Sequence, residues 1–227
     1  MRAIDVTADR SDHAEFTLVD EDGNHTPVHL GIPGRHNVMN ALAAATVAMR
    51  YGMAPETVAR ILASQHTISP HRMALSTVNR EGTSFTLIDD SFNANPDSMK
   101  AGLNGLKAWN SNDGKEPFRV ALLGAMLELG ADETALHTSI GTYADELGID
   151  AIIAVGSAQD QHLDALAQAL ADGARQSQSA SVDCVHDIDA AEQLVIDLAR
   201  NHPDAVVLLK GSHASGLSAL AERWAKN

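Results

Sequence analysis

Cysteine is almost missing from this chain: Cys184 is the one thiol in 227 residues. A lone cysteine closes no internal disulfide, so covalent staples are excluded and nothing ties the chain to an oxidising compartment. Positive charge is also short. Sixteen Lys and Arg stand against thirty Asp and Glu, a formal charge of -14, and no Lys/Arg-rich stretch breaks the pattern. That argues against a surface for nucleic-acid phosphates, whose non-specific affinity comes from clustered cations. No apolar run approaches the roughly 20 residues that cross a bilayer. The start, Met1 to Val6, lacks the apolar core of a signal peptide. The expectation is an acidic cytoplasmic protein with no nucleic-acid partner and no membrane insertion. With 44% hydrophobic residues it can bury a core unaided.

The pattern changes along the chain. Residues 2–7 and 14–19 alternate apolar and polar, Asp20-Glu21-Asp22-Gly23-Asn24 is a turn cluster, and Val28 and Leu30 resume the alternation. This predicts a small antiparallel meander or hairpin. Gly31-Ile32-Pro33-Gly34 breaks it, and helices follow at about 35–51 and 55–63. Thr67-Ile68-Ser69-Pro70 is irregular and ends in proline, which marks a boundary between 1–69 and 70–227. Beyond it come strands at about 73–79 and 83–89. Then helices at 96–109, 132–147, 158–172, 187–200 and 214–225 alternate with strands at 118–123, 151–155, 181–185 and 205–209. Short β-branched runs alternating with amphipathic helices predict an α/β, Rossmann-like, mostly parallel sheet with helices on both faces. The leading hairpin would supply an antiparallel edge strand.

Several superficial motifs fail on geometry. Asp113-Gly114-Lys115-Glu116 has no glycine five residues before Gly114 and no Ser/Thr after Lys115, so it is no phosphate loop. The acidic turn at Asp20–Asn24 sets its glycine too early for a calcium loop. His25 and His29 lie about 13 Å apart along a strand, too far to share a metal. The chemistry belongs instead at the carboxyl ends of the strands, where open α/β sheets bind ligands. Asp89 and Asp90 close a strand, and two adjacent carboxylates there should face solvent, a cation or a ligand hydroxyl. The run from Asp90 to Asn95 reads equally as a helix cap with a solvated loop. Lys210-Gly211-Ser212 joins a strand to a helix start, a place suited to an anion such as a carboxylate; an ordinary turn is the alternative. His36 and Asn37 either meet a ligand or cap their helix.

These residues carry a resemblance. Gly34-Arg35-His36-Asn37-Val38-Met39-Asn40-Ala41-Leu42 is similar to the G-x-H-N-x-x-N-A-L segment that closes the central ATPase domain of the Mur ligases. Pro70-His71-Arg72-Met73 resembles that family's hinge arginine motif. The string from Ile88 to Met99, Leu123 to Gly130 with His137, and Leu209-Lys210-Gly211-Ser212 resemble further family segments, in family order. They are most similar to those of the member that adds D-alanyl-D-alanine. Ala125 departs from the pattern, where aspartate is usual, and so does His213, where many relatives have arginine.

The resemblance implies an ATP-dependent amide ligase that adds D-alanyl-D-alanine to UDP-N-acetylmuramoyl-tripeptide in peptidoglycan precursor synthesis. ATP phosphorylates the peptide carboxylate, the dipeptide amine attacks the acyl phosphate, and phosphate leaves. Residues 1–69 would be the end of the central domain and 70–227 the C-terminal domain. The glycine-rich phosphate loop and the Mg2+ ligands would lie upstream, so this chain is expected to hold no metal ligand and to be inactive alone. By the same resemblance, Asn37 and Asn40 would lie near the adenine, three apart on one helix face. Arg72 would reach the ATP phosphates, where a guanidinium fork suits oxyanions. Asp90 would take the ribose hydroxyls, and Lys210, Gly211 and Ser212 would form the dipeptide-carboxylate pocket. His137 reads as a packing or capping histidine or a catalytic one. A ligase of the folylpolyglutamate type and a non-catalytic Rossmann-like binding module remain as alternatives.

Overall fold

A computed structural model describes residues 1–66, 71–110, 116–176 and 180–226. The boundary read at 67–70 and the false phosphate loop at 113–115 lie outside the described residues. Two compact units divide the chain, Met1–Ser69 and Pro70–Asn227.

In the first unit, β1 (Arg2–Ala8), β2 (His13–Val19) and β3 (His25–Pro33) form an antiparallel meander in that order. Asp20 makes the β2–β3 turn, because its Oδ1 accepts the backbone N–H groups of Asp22 and Asn24 at 2.9 and 2.8 Å. The alternation sends Phe16, Leu18, Val28 and Leu30 to one face. Val38, Ala41 and Ala45 of α1 (Asn37–Arg50) and Val58 of α2 (Pro55–Ser64) close that core. α1 begins at Asn37 rather than near Arg35, since Gly34 at φ 102 still belongs to the preceding turn.

The second unit carries a six-stranded sheet of order β4-β5-β9-β6-β7-β8. Its strands are β4 (Ala74–Arg80), β5 (Thr83–Asp90), β6 (Arg119–Gly124), β7 (Ala151–Val155), β8 (Ser181–Val185) and β9 (Val206–Lys210). β4 pairs antiparallel with β5 at one edge, and every other pairing is parallel. The helices are α3 (Pro96–Ala108), α4 (Glu133–Glu146), α5 (Gln161–Ala174), α6 (Ile188–Asn201) and α7 (Leu217–Ala225). Met99, Leu103 and Leu106 of α3, with Ile140 of α4 and Leu170 of α5, pack on the face bearing Ile88, Leu123, Ile152 and Leu208. Val195 of α6 and Leu220 and Trp224 of α7 pack on the opposite face, against Leu87, Leu122, Ile153 and Leu209.

Side-chain caps set the starts of α3, α5 and α6. Asn95 and Ser98 form a reciprocal capping box ahead of Pro96. α5 starts at Gln161, three residues later than the periodicity suggests, because the Asp160 carboxylate accepts the N–H groups of His162 and Leu163. α7 starts at Leu217 rather than 214: His213–Ser215 is a 3-10 turn ended by Gly216 at φ 74. No helix among the described residues is long and apolar enough to cross a membrane.

Candidate functional site

β9 is the last strand in the chain, yet it lies between β5 and β6. Its following helix, α7, packs on one face, whereas α3 and α4, which follow β5 and β6, pack on the other. Loops leaving adjacent strands in opposite directions open a crevice at the carboxyl ends of the sheet. Asp90, Lys210 and the turn after Gly124 meet at those ends.

Asp90 stands beside Lys210 in the β5–β9 register. The two-residue period puts Asp90 on the face of Ile88 and Lys210 on the face of Leu208, the same α3 side. Lys210 is 2% exposed. Its Nζ lies 2.8 Å from Asp90 Oδ2 and donates to the carbonyls of Asn93 at 2.6 Å and Asp90 at 3.3 Å. An ammonium has three protons, and three protein oxygens surround this one. The charge of Lys210 therefore acts through Asp90 and the loop to Asn93. Gly102 of α3 makes room for its stem: a Cβ there would lie 3.3 Å from Lys210 Cδ.

Asp89 points to the other face, as alternation requires. It is 7% exposed, accepts from Ser91 Oγ at 2.6 Å and Ser91 N at 3.2 Å, and takes His71 Nδ1–H at 2.8 Å. Of the two aspartates expected to face solvent, a cation or a ligand hydroxyl, Asp90 faces the Lys210 ammonium, and Asp89 alone departs, buried against Ser91 and His71. Each takes protein partners: Asp89 has a serine and a histidine, and Asp90 has a lysine and the backbone N–H of Met73 at 3.3 Å. Burial of a carboxylate requires such partners.

Arg72 is exposed and forms no ion pair among the described residues. Its guanidinium carbon lies 4.2 Å from the centroid of the Phe92 ring. His71 and Met73 on either side are both left-handed, at φ 61 and 48, a conformation that costs side-chain-bearing residues roughly 1 kcal/mol or more. The Phe92 N–H donates to the His71 carbonyl at 3.1 Å, so the Arg72 segment is tied to the end of β5. Phe92 carried no role in the sequence reading. Its signal there is a single aromatic set in the polar run from Asp89 to Asn95.

In the turn after β9, Gly211 has no space for a side chain: a Cβ would lie 2.6 Å from Ser215 Oγ and 3.0 Å from Gly124 Cα. Ser212 N–H donates to the Ala125 carbonyl at 2.9 Å. This is a backbone contact, so alanine in place of the usual aspartate leaves it intact. The Ser212 hydroxyl is buried and has no hydrogen-bond partner among the described residues. His213 is exposed, and its Nδ1 lies 3.1 Å from Ser218 Oγ.

His137 is fully buried. Its Nε2 accepts the Met126 N–H at 2.8 Å, and its Nδ1–H donates to the Glu133 carbonyl at 2.7 Å. Both nitrogens serve the backbone, which defines one neutral tautomer. Burial lowers its pKa below the ordinary 6.5, against smaller opposing contributions from Glu133. It therefore holds the loop after β6 in place.

In the first unit, Asn37 and Asn40 do share a helix face. Asn40 Nδ2 donates to Asn37 Oδ1 at 3.0 Å, and Asn37 Nδ2 donates to the Pro33 carbonyl at 2.8 Å. Asn37 is buried and ties the turn to α1, while Asn40 is exposed. The neighbouring His36 makes no side-chain cap.

Residues 71–213, more than half of the chain, match the family described as "Mur ligase, glutamate ligase domain". The UDP-N-acetylmuramoyl-tripeptide–D-alanyl-D-alanine ligase of Mycobacterium tuberculosis is 38% identical over 223 residues, 96% of this chain and 43% of that protein. The enzyme of the same name from Escherichia coli K12 is 35% identical over 142 residues, 63% of this chain and 29% of that protein. A crystal structure of MurF from Acinetobacter baumannii superposes with a TM-score of 0.79 at 26% identity, covering 99% of this chain and 45% of that one. The chain thus spans less than half the length of the relatives it matches. With the family pattern running through the strand ends that carry Arg72, Asp90 and Lys210, the chain belongs to the Mur ligase family.

Proposed function

We propose that this chain is part of a cytoplasmic, ATP-dependent ligase that adds D-alanyl-D-alanine to UDP-N-acetylmuramoyl-tripeptide, with residues 1–69 as the end of the central domain and 70–227 as the C-terminal domain. The observation that carries the reading is the joining of Arg72, Asp90 and Lys210 at the carboxyl ends of the sheet, in a chain 38% identical to a ligase of that name.

The residues present suit a nucleotide. Asp90 presents a carboxylate whose side chain is 17% exposed at the strand end, and carboxylate oxygens accept from ribose hydroxyls. Lys210 holds that carboxylate in place at 2.8 Å. Arg72 presents a planar fork suited to phosphoryl oxygens. The Ser212 hydroxyl, without a hydrogen-bond partner among the described residues and in a turn that Gly211 permits, is a donor for the carboxylate of D-alanyl-D-alanine. Magnesium would offset the charge of the triphosphate. No three His, Cys, Asp or Glu among the described residues are grouped to hold it.

The test is phosphate release with ATP, magnesium, the tripeptide substrate and a panel of amines. It uses this chain and a folded chimera joining it to the remaining portion of the Mycobacterium tuberculosis relative. Release by the chimera that requires both the tripeptide and D-alanyl-D-alanine supports the proposal. Preference for another amine, or nucleotide turnover independent of any amine, overturns it.

A further inference from the structure

Phe92 is 46% exposed but held at both ends. Its N–H donates to the His71 carbonyl at 3.1 Å, and its ring lies 4.2 Å from the Arg72 guanidinium carbon. The backbone around Arg72 is fixed as well. His71 and Met73 are left-handed, His71 is bound to Asp89, and the Met73 N–H is bound to Asp90. What remains free to wander is the arginine side chain, and the ring is its one ring or ion contact among the described residues. We propose that Phe92 is a positioning residue whose ring face holds the Arg72 guanidinium ready for phosphoryl oxygens.

The chemistry favours a ring over an acidic partner. A carboxylate would occupy the N–H edge of the fork and cancel the charge that phosphate needs. An aromatic face engages the guanidinium through its π cloud and leaves the in-plane N–H bonds available. Restricting the long side chain before binding also reduces the conformational entropy lost on binding. This inference rests on the reading of Arg72 as a phosphate contact, so its test separates the two.

The experiment is NMR on the chain as it stands, reading the Arg72 side-chain Nε–Hε signal and titrating ATP into the millimolar range. The wild type is expected to show a ring-current shift of the Arg72 side chain that disappears in Phe92→Leu. Phe92→Leu should weaken ATP binding about two- to fivefold, as expected for an exposed cation–π contact, with an unchanged melting temperature. Phe92→Tyr should restore both, and Phe92→Leu should add nothing in an Arg72→Ala background. If Arg72→Ala weakens ATP binding but Phe92→Leu does not, or if the wild type lacks the ring-current shift, this inference is overturned alone. If Arg72→Ala leaves ATP affinity unchanged, or ATP leaves the Arg72 signal unmoved, the phosphate reading falls and takes this inference with it.

Discussion

Lys210→Met is the substitution that most directly tests how the site is held. Methionine keeps the length of the stem beside Gly102 and removes only the ammonium. Asp90 Oδ2 then loses a cation at 2.8 Å, and the carbonyls of Asn93 and Asp90 lose their donor. Breaking a buried ion pair from one side costs about 3–5 kcal/mol, because the remaining charge stays poorly solvated. The Asp90 side chain is 17% exposed, so some water reaches it and the lower end applies, about 3 kcal/mol. For a unit of this size that is a fall of roughly 6–12 °C in Tm. Urea unfolding followed by tryptophan fluorescence is a suitable assay, since Trp109 and Trp224 both belong to the second unit. Adding Asp90→Asn to Lys210→Met removes both charges and should recover part of the loss. A loss below about 1 kcal/mol for Lys210→Met is what a solvated surface pair would give. It would refute the reading of Lys210 as the buried support of Asp90.

Further outcomes follow from the same geometry. Arg72→Ala should cost under about 0.5 kcal/mol of stability, as for an exposed side chain. In the chimera it should lower ligase turnover about 10- to 100-fold, the worth of one charge-assisted hydrogen bond; wild-type turnover would remove Arg72 from the mechanism. Asp90→Asn should raise the ATP KM with a smaller effect on kcat, because a ribose contact orients the substrate and meets no developing charge; an unchanged KM refutes the ribose assignment. His137 has a folded-state pKa below 6.5, so the unfolded chain binds the proton more readily. Its stabilising contribution is complete above about pH 6.5 and is lost as pH falls from there toward the lowered value. His137→Gln should therefore flatten the acid side of the stability profile, and an identical slope in both proteins would contradict the buried neutral tautomer. Gly211→Ala should destabilise by roughly 1–3 kcal/mol through overpacking against Ser215 and Gly124, and an unperturbed melting curve would show that the turn yields freely.

Local chemistry was legible residue by residue. The β2–β3 turn at Asp20, the cap at Asn95, and strand 151–155 follow from interactions within a few positions, which a linear reading can see. Periodicity puts helix starts near 158 and 214, too early, because it does not show which side chain turns back to cap or where a 3-10 turn intervenes. The site separates in the same way. That Asn37 and Asn40 share a face follows from the helical repeat. That Asn37 is occupied by the Pro33 carbonyl does not.

Composition, alternation and helical period determined by themselves that this is an acidic α/β protein with a mostly parallel sheet, a small antiparallel sheet ahead of it, and polar residues at the strand ends. Those properties depend on which side chains recur at intervals of two or three to four. Tertiary structure alone decided that β9 enters between β5 and β6, bringing Lys210 to Asp90 across 120 positions of chain. It also brought Phe92 under Arg72 and buried Asp89 against His71. Strand order is settled by how all the helices cover both faces at once, and no local window contains that competition. Lys210 in isolation is a cation awaiting an anion, and only the folded sheet supplies the three oxygens that occupy it.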